Sequence, residues 1–312
     1  MNKKIQSFTL IEILVVIVVI GILSSFILVG MSSMSSNANI AKIKVWAESA
    51  RNSQLTNIVS EYKFEGPTAT GSPAQTTDIV DSWGSNAGAI GTAPTVLASS
   101  SCALGKCLNF ASTSSQYIMG PVTTTGFDQA RTQLSVFAWI KASAQAGDAT
   151  VVGIWDTTNN RRSWVIQSSS TTNFFKASFS DDGTNIDKTA TTTAGGIFDN
   201  KWHYIGFTLT TASTDTITTY VDGSSVANTV SPSTNLSDAN GLNWNSAARL
   251  TIGAHNAPAA AGFFNGAIDN IITYKTVVSS SQVKEQYFAG LNSLLASGEI
   301  TKDEYSSRLA AK

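Results

Sequence analysis

Charge is scarce in this sequence. Asp, Glu, Lys and Arg make up 13% of its 312 residues, about half the share usual in globular proteins. The 20 basic and 21 acidic residues leave a formal net charge of -1. There is thus no basic footprint for a phosphate backbone, and nucleic acid is not an expected partner. Cysteine is limited to Cys102 and Cys107 in "CALGKC", and histidine to His203 and His255. No further Cys or His lies near enough to complete a common zinc motif. In an oxidising exterior the two cysteines are instead placed to staple a short loop, a local clip whose closure entropy is small. Glutamate is absent between Glu65 and Glu285. No strand there can carry a Glu-x-Asp-x-Glu run, which removes the usual source of the two carboxylates that hydrolyse a glycosidic bond. No nucleophile elbow is visible either. An enzyme is not expected.

Proline is missing from Met1 to Glu65, so nothing there obstructs a long helix. The stretch opens with a short positive leader carrying Lys3 and Lys4, followed by "QSFTLIEILVVIVVIGIL" from Gln6 to Leu23. From Phe8 to Val29 the run is long enough to cross a hydrocarbon core, which takes about 20 helical residues. The leader keeps to the cytoplasmic side. One acid, Glu12, interrupts the run, and a carboxylate at the centre of a bilayer costs roughly 2.5–3.5 kcal/mol. A cleaved secretory signal would be shorter, and a plain membrane anchor leaves Glu12 unexplained.

"SFTLIEILVVIVVIGIL" closely resembles the class III signal of type IV pilins and pseudopilins, whose hallmark is a Phe-Thr-Leu-Ile-Glu start. The resemblance implies cleavage by a prepilin peptidase between Ser7 and Phe8, methylation of the new amino terminus at Phe8, and an assembly role for Glu12. The family usually has Gly before the cut, where this chain has Ser7. The ammonium at Phe8 of one subunit then pairs with the Glu12 carboxylate of its neighbour, because two charges in lipid or a dry bundle are tolerable only as a pair. The implied partners are further copies of the chain, the peptidase, the pilus assembly machinery and, before assembly, the membrane.

Beyond the run, Ile40, Ile43, Ala47, Leu55, Ile58 and Tyr62 fall at helical spacing, with Lys42, Lys44, Glu48 and Arg51 between them,. This predicts a leader over 1–7 and one spine helix over 8–62, its first part, 8–29, in the membrane. Gly66-Pro67 stops it. From there short strand-like runs alternate with turns. "HYIGFTLT" places His203, Ile205, Phe207 and Leu209 on one face, and "TITTYVDGSSVA" reads as a hairpin turning at Asp222-Gly223,.

The order of "YKFEG", "DSWGSNAGAIG", "LNFASTSSQYI", "LSVFAWIKA", "NKWHYIGFTLT", "TTYVDG" and "FFNGAIDNIITYKTVVSSSQV" resembles the laminin-G-like, concanavalin A-like jelly-roll superfamily. That implies about fourteen antiparallel strands in two sheets, with Trp139 and Trp202 in the core. It also implies a calcium (Ca2+) site where the early loop meets a late strand, here Asp81, Asn86 and Asp269. Calcium takes six to eight oxygens, about what carboxylates, carbonyls and water supply together. The alternative is that Asp81 and Asn86 are turn residues and Asp269 bonds backbone amides. Asp181 and Asp182 in "FSDDGTN" read as a hairpin turn, with a second cation site as the alternative.

The end of the chain returns to helix. Ser281 is the expected cap of a helix carrying Val283, Tyr287, Leu291 and Leu294, Gly298 ends it, and Thr301 with Glu304 caps a last short one,. Leu291–Leu309 resembles a short bacterial oligomerisation motif, but packing on the sandwich or spine is the expectation. The fold class is therefore α+β: a long N-terminal α-helix, an antiparallel β-sandwich jelly roll over 63–283 and a helical tail over 284–312. The expected function is a type IV pilin-like subunit, a membrane precursor that polymerises through its helix into an extracellular filament. Its head is displayed outward for adhesion to a surface glycan or protein. A pseudopilin or minor tip adhesin is the alternative.

Overall fold

The computed structural model describes residues 10–25, 45, 49, 54–121, 126–169, 173–193, 196–232, 235–236 and 241–311. The chain divides into two units, 1–46 and 47–312. In the first, residues 10–25 are helical. Its apolar side chains point outward in every direction, from 47% exposed at Val19 to 84% at Leu10. A helix apolar all round needs lipid or other helices about it. At about 1.5 Å per residue these sixteen residues span about 24 Å. Among the described residues no helix is long and apolar enough to cross a membrane. Residues 8–9 and 26–29 of the expected span lie outside the described residues.

The second unit is a sandwich of two sheets, with sixteen strands among the described residues. In order across the first sheet lie Ser224–Val226, Thr216–Val221, Trp202–Thr210, Gln133–Lys141, Gly266–Tyr274, Cys107–Phe110 and Thr95–Leu97, and Ile58–Tyr62 also pairs with Gly266–Tyr274. The second sheet runs Asn228–Ser231, Lys188–Thr192, Phe175–Phe179, Trp164–Ser168, Thr150–Ile154, Thr251–Ile252, Tyr117–Met119 and Ala89–Thr92. Alternation does the sorting. Ile205, Phe207 and Leu209 enter the core between the sheets, while Trp202 and Tyr204 face the other way. The Asp222-Gly223 turn forms as read, with φ of 51° and 77° and Val221 opposite Ser224. Both residues adopt the left-handed conformation that a tight hairpin of this twist requires.

The predicted spine helix does not run to residue 62. Leu55–Asn57 form a single 3-10 turn, and Ile58–Tyr62 is a strand bonded to Tyr274 through Ile271. All five of its residues are buried. The spacing of Leu55, Ile58 and Tyr62 suits a helix, but the β-branched Ile58 and Val59 sit beside an unfilled sheet edge, and that pairing decides. The sandwich thus begins ahead of residue 63.

Outside the first sheet lies a second apolar layer. Trp139, Trp202, Tyr204, Tyr220 and Tyr274 pack there against Val283, Tyr287, Leu291 and Leu294 of the helix Ser280–Ser297. The tail is therefore docked on the head. Its cap is Ser279 rather than Ser281: the Ser279 hydroxyl accepts from the Gln282 N–H and the Gln282 side chain accepts from the Ser279 N–H. Gly298 ends the helix in the left-handed conformation (φ 80°), and Thr301 caps Lys302–Ala310 by accepting from the Glu304 N–H. Arg308 of this last helix donates to the Trp202 carbonyl at 2.8 Å.

Candidate functional site

Ser7 and Phe8, the expected cleavage pair, lie outside the described residues. Glu12 stands in the first turn of the described helix and is the one acid in its sequence from Leu10 to Ser25.

In the head, Asp81 organises the loop that follows it. Its Oδ1 accepts the N–H groups of Glu61 and Gly84 at 2.9 Å each and of Trp83 at 3.2 Å. Its Oδ2 accepts the Ser60 hydroxyl and the Asn86 N–H at 3.0 Å each. Five donors use up the roughly four lone-pair positions of a carboxylate. Asn86 is fully buried, and its carbonyl accepts the Tyr62 hydroxyl; burial pushes that phenol above its usual range.

Asp269 is elsewhere. It lies opposite Trp139 in the strand pairing, on the face covered by the C-terminal helices. Ser60, which Asp81 holds, shares a strand face with Tyr62 of the inter-sheet core,. Asp269 Oδ2 accepts the Leu104 N–H at 2.7 Å, and Oδ1 has no hydrogen-bond partner among the described residues. Burial, with the charge of Glu65 adding to it, drives its carboxyl well above the usual carboxylate range against the pull of the Leu104 N–H. A cation needs an ionised carboxylate with free lone pairs. Asp81 has none to spare, and Asp269 lies on the opposite face of the sheet. Asp81, Asn86 and Asp269 do not fit one calcium ion.

The Leu104 amide is delivered by the disulfide loop. Cys102 and Cys107 are bonded, with Cα atoms 5.6 Å apart. The same loop donates the Lys106 N–H to Glu65 Oε1 at 2.9 Å, and Lys106 Nζ to the carbonyls of Gly66 and Thr68 at 2.8 and 3.0 Å. The clip thus ties three segments together.

Asp181, Asp182 and Asp187 bring carboxylate oxygens within 4.8 Å of one another. They are wired as a turn: Asp182 accepts the N–H groups of Thr184 and Asn185 at 2.7 and 2.9 Å, and Asp187 that of Asp181 at 2.9 Å. The Asn185 amide, foremost among these bonds, holds Asp182 below the usual range. The loop joins the paired strands Phe175–Phe179 and Lys188–Thr192. Trp139 and Trp202 are fully buried, as core residues.

Sequence reasoning missed the setting of His203. Its Nδ1 lies 2.9 Å from Asp222 Oδ2 and its Nε2 3.0 Å from Asp199 Oδ1. Burial pulls the imidazole down, but the two carboxylates, Asp222 first, outweigh it and raise the group above its ordinary value. With both nitrogens taken by carboxylates, neither can serve a nucleophile. Asp199 lies four residues before His203 and Asp222 in the recognised hairpin turn, so both were visible separately in the sequence.

Among the described residues two surface cavities stand out. One of about 270 Å³ is lined by Trp83, Gln129 and Lys275 among others; Trp83 is 42% exposed. The other, of about 320 Å³, lies at one end of the first sheet and is lined by Asn109, Lys141, Asn200 and Asn265 among others. Neither lining includes an Asp or a Glu.

Residues 113–284, more than half of the chain, match the family model of the concanavalin A-like lectin/glucanases superfamily. Residues 2–28 match that of the prokaryotic N-terminal methylation motif. No curated protein matches. Among solved structures, the chain is similar to botulinum neurotoxin type C, which depends on interaction with two ganglioside molecules to enter cells. Identity is 13% and the TM-score 0.52, over 77% of this chain and 53% of the toxin chain. It is also similar to Trypanosoma rangeli sialidase in complex with a difluorinated nononic acid, at 14% identity and a TM-score of 0.50, over 75% of this chain and 33% of the sialidase. The chain thus spans about half of the toxin chain and a third of the sialidase. At these identities the likeness is one of fold.

Proposed function

This chain belongs to the concanavalin A-like lectin/glucanases superfamily, and from that premise we propose a type IV pilin-like subunit that polymerises through its N-terminal helix and carries the sandwich as a binding head. The observation behind this reading is Glu12, the one acid in an otherwise apolar helix, inside the matched methylation motif. A carboxylate in lipid carries a cost that a counter-charge relieves. Cleavage between Ser7 and Phe8 creates one, an ammonium at Phe8, on each subunit. Assembly sets Phe8 of one copy beside Glu12 of the next, and the two charges pair across the contact between subunits. The charge pair therefore also fixes the register of the polymer. The precursor resides in the cytoplasmic membrane and the product is an extracellular filament.

For the head, binding fits better than hydrolysis. Glycosidic cleavage needs two carboxylates, and the absence of glutamate between Glu65 and Glu285 removes their usual source. The similar toxin interacts with gangliosides, and this reading gives the sandwich work of the same kind, holding a surface glycan or protein.

Mass spectrometry of appendages sheared from producing cells tests the proposal. A methylated peptide beginning at Phe8, abundant in the sheared fraction, is expected. The same peptide confined to membranes would make the chain a pseudopilin or rare tip subunit, and a chain that keeps Met1–Ser7 would overturn the reading.

A further inference from the structure

We propose that the cavity of about 320 Å³ at the end of the first sheet is a subsite for a neutral saccharide; this rests on the reading of the sandwich as a binding head. Strand register builds its floor. Asn109 lies opposite Ala267, Ala267 opposite Lys141, and Lys141 opposite Trp202, so the four form one row across four strands. Ala267 and Trp202 belong to the outer apolar layer, which puts the row on the outer face. The small Ala267 leaves a depression between Asn109 and Lys141.

Two loops raise its rim. Asn265 is held by Gln145, whose Oε1 accepts its N–H at 2.9 Å and whose Nε2 donates to its carbonyl at 2.8 Å. Asn200 donates its N–H to the Ala142 carbonyl at 2.9 Å. Backbones are thus fixed, while the side-chain amides of Asn109, Asn200 and Asn265 make no hydrogen bond among the described residues. Each amide offers two donors and an acceptor, the complement of neighbouring sugar hydroxyls, which both donate and accept. The ammonium of Lys141 is paired with Glu299. The site therefore carries no surplus charge, and a neutral sugar suits it better than an acidic one. Its volume falls at the low end of the roughly 300–1,000 Å³ of ligand pockets, room for one or two sugar rings.

Full-length protein in detergent, applied to an array of immobilised neutral and sialylated oligosaccharides, tests this. Binding to neutral members is expected, and titration of the strongest one should weaken at least about tenfold in Asn109→Thr/Asn200→Gly, as for the loss of two or so hydrogen bonds. Glycine keeps the positive φ of 65° at position 200, and threonine suits a strand, so the melting temperature should hold. If it falls, Asn265→Ala on the exposed loop gives the same readout. No binding, binding to sialylated members alone, or unchanged affinity in these variants would overturn the site, as would loss of binding in Trp83→Ala alone, which places the ligand in the other cavity. Processing at Phe8 is scored separately on sheared filaments, so failure of the sugar site and failure of the subunit reading are distinguishable.

Discussion

Gly290 of the long C-terminal helix lies against Trp139 of the first sheet so closely that a Cβ at 290 would fall 2.2 Å from the indole Cζ2. Trp139 also stacks on Tyr287 of the same helix, with ring centroids 5.7 Å apart and planes 18° from parallel. Glycine within a helix is normally unfavourable; here it sets the distance at which the tail covers the sheet. Gly290→Ala should therefore destabilise the head by about 1–3 kcal/mol, the usual cost of overfilling a packed layer. Chemical denaturation of the variant measures it, and a gain in stability from the better helix former would contradict the close contact.

Removing Glu12 separates processing from assembly. Glu12→Ala should still be cut before Phe8 and methylated, yet yield few normal filaments. Immunoblots of sheared and membrane fractions report both. Wild-type filament yield would refute the charge pair.

Asp269 supplies a test of the neutral-carboxyl reading. Its folded-state pKa is raised by burial, while the unfolded group ionises in the usual carboxylate range. Between those two values the folded state holds the extra proton, so this residue lowers stability as pH rises from about 4 upward. Asp269→Asn should match wild type at acid pH and become relatively more stable toward neutrality. Asp269→Ala should cost about 1–3 kcal/mol at acid pH by orphaning the Leu104 N–H, and less toward neutrality, where the wild-type group is itself unfavourable,. Added calcium should leave the wild-type melting temperature unchanged; a rise that Asp269→Ala abolishes would restore the calcium site.

His203 is linked to pH in the same direction, through ion pairing rather than burial. The folded state raises its pKa through Asp222 and Asp199, so its contribution is fully present below the unfolded value near 6.5 and is lost as pH rises through the higher folded value. Lys201, close to Asp199, and Arg308 and Tyr287, close to Asp222, set the local balance of charge. Melting curves from pH 5 to 9 should show wild type losing ground to His203→Gln across that window, and parallel curves would rule the linkage out.

Local chemistry made much of this protein legible from sequence. The acid in the apolar run, the Asp222-Gly223 hairpin, the Gly298 stop and the Thr301 cap each depend on residues within a few positions of one another. So did the alternation that sent Trp202 and Tyr204 to one face and Ile205 and Phe207 to the other. What sequence left open depended on partners far along the chain. Ile58–Tyr62 is a strand because Gly266–Tyr274 stands beside it. Asp81 and Asp269 serve different loops because a sheet separates them, and His203 meets Asp222 because two strands pair there. The sequence by itself determined which segments are helix, strand and turn wherever neighbours settle the matter. Only the tertiary structure decided which edges, faces and charges meet, since those energies exist only once distant segments pack together.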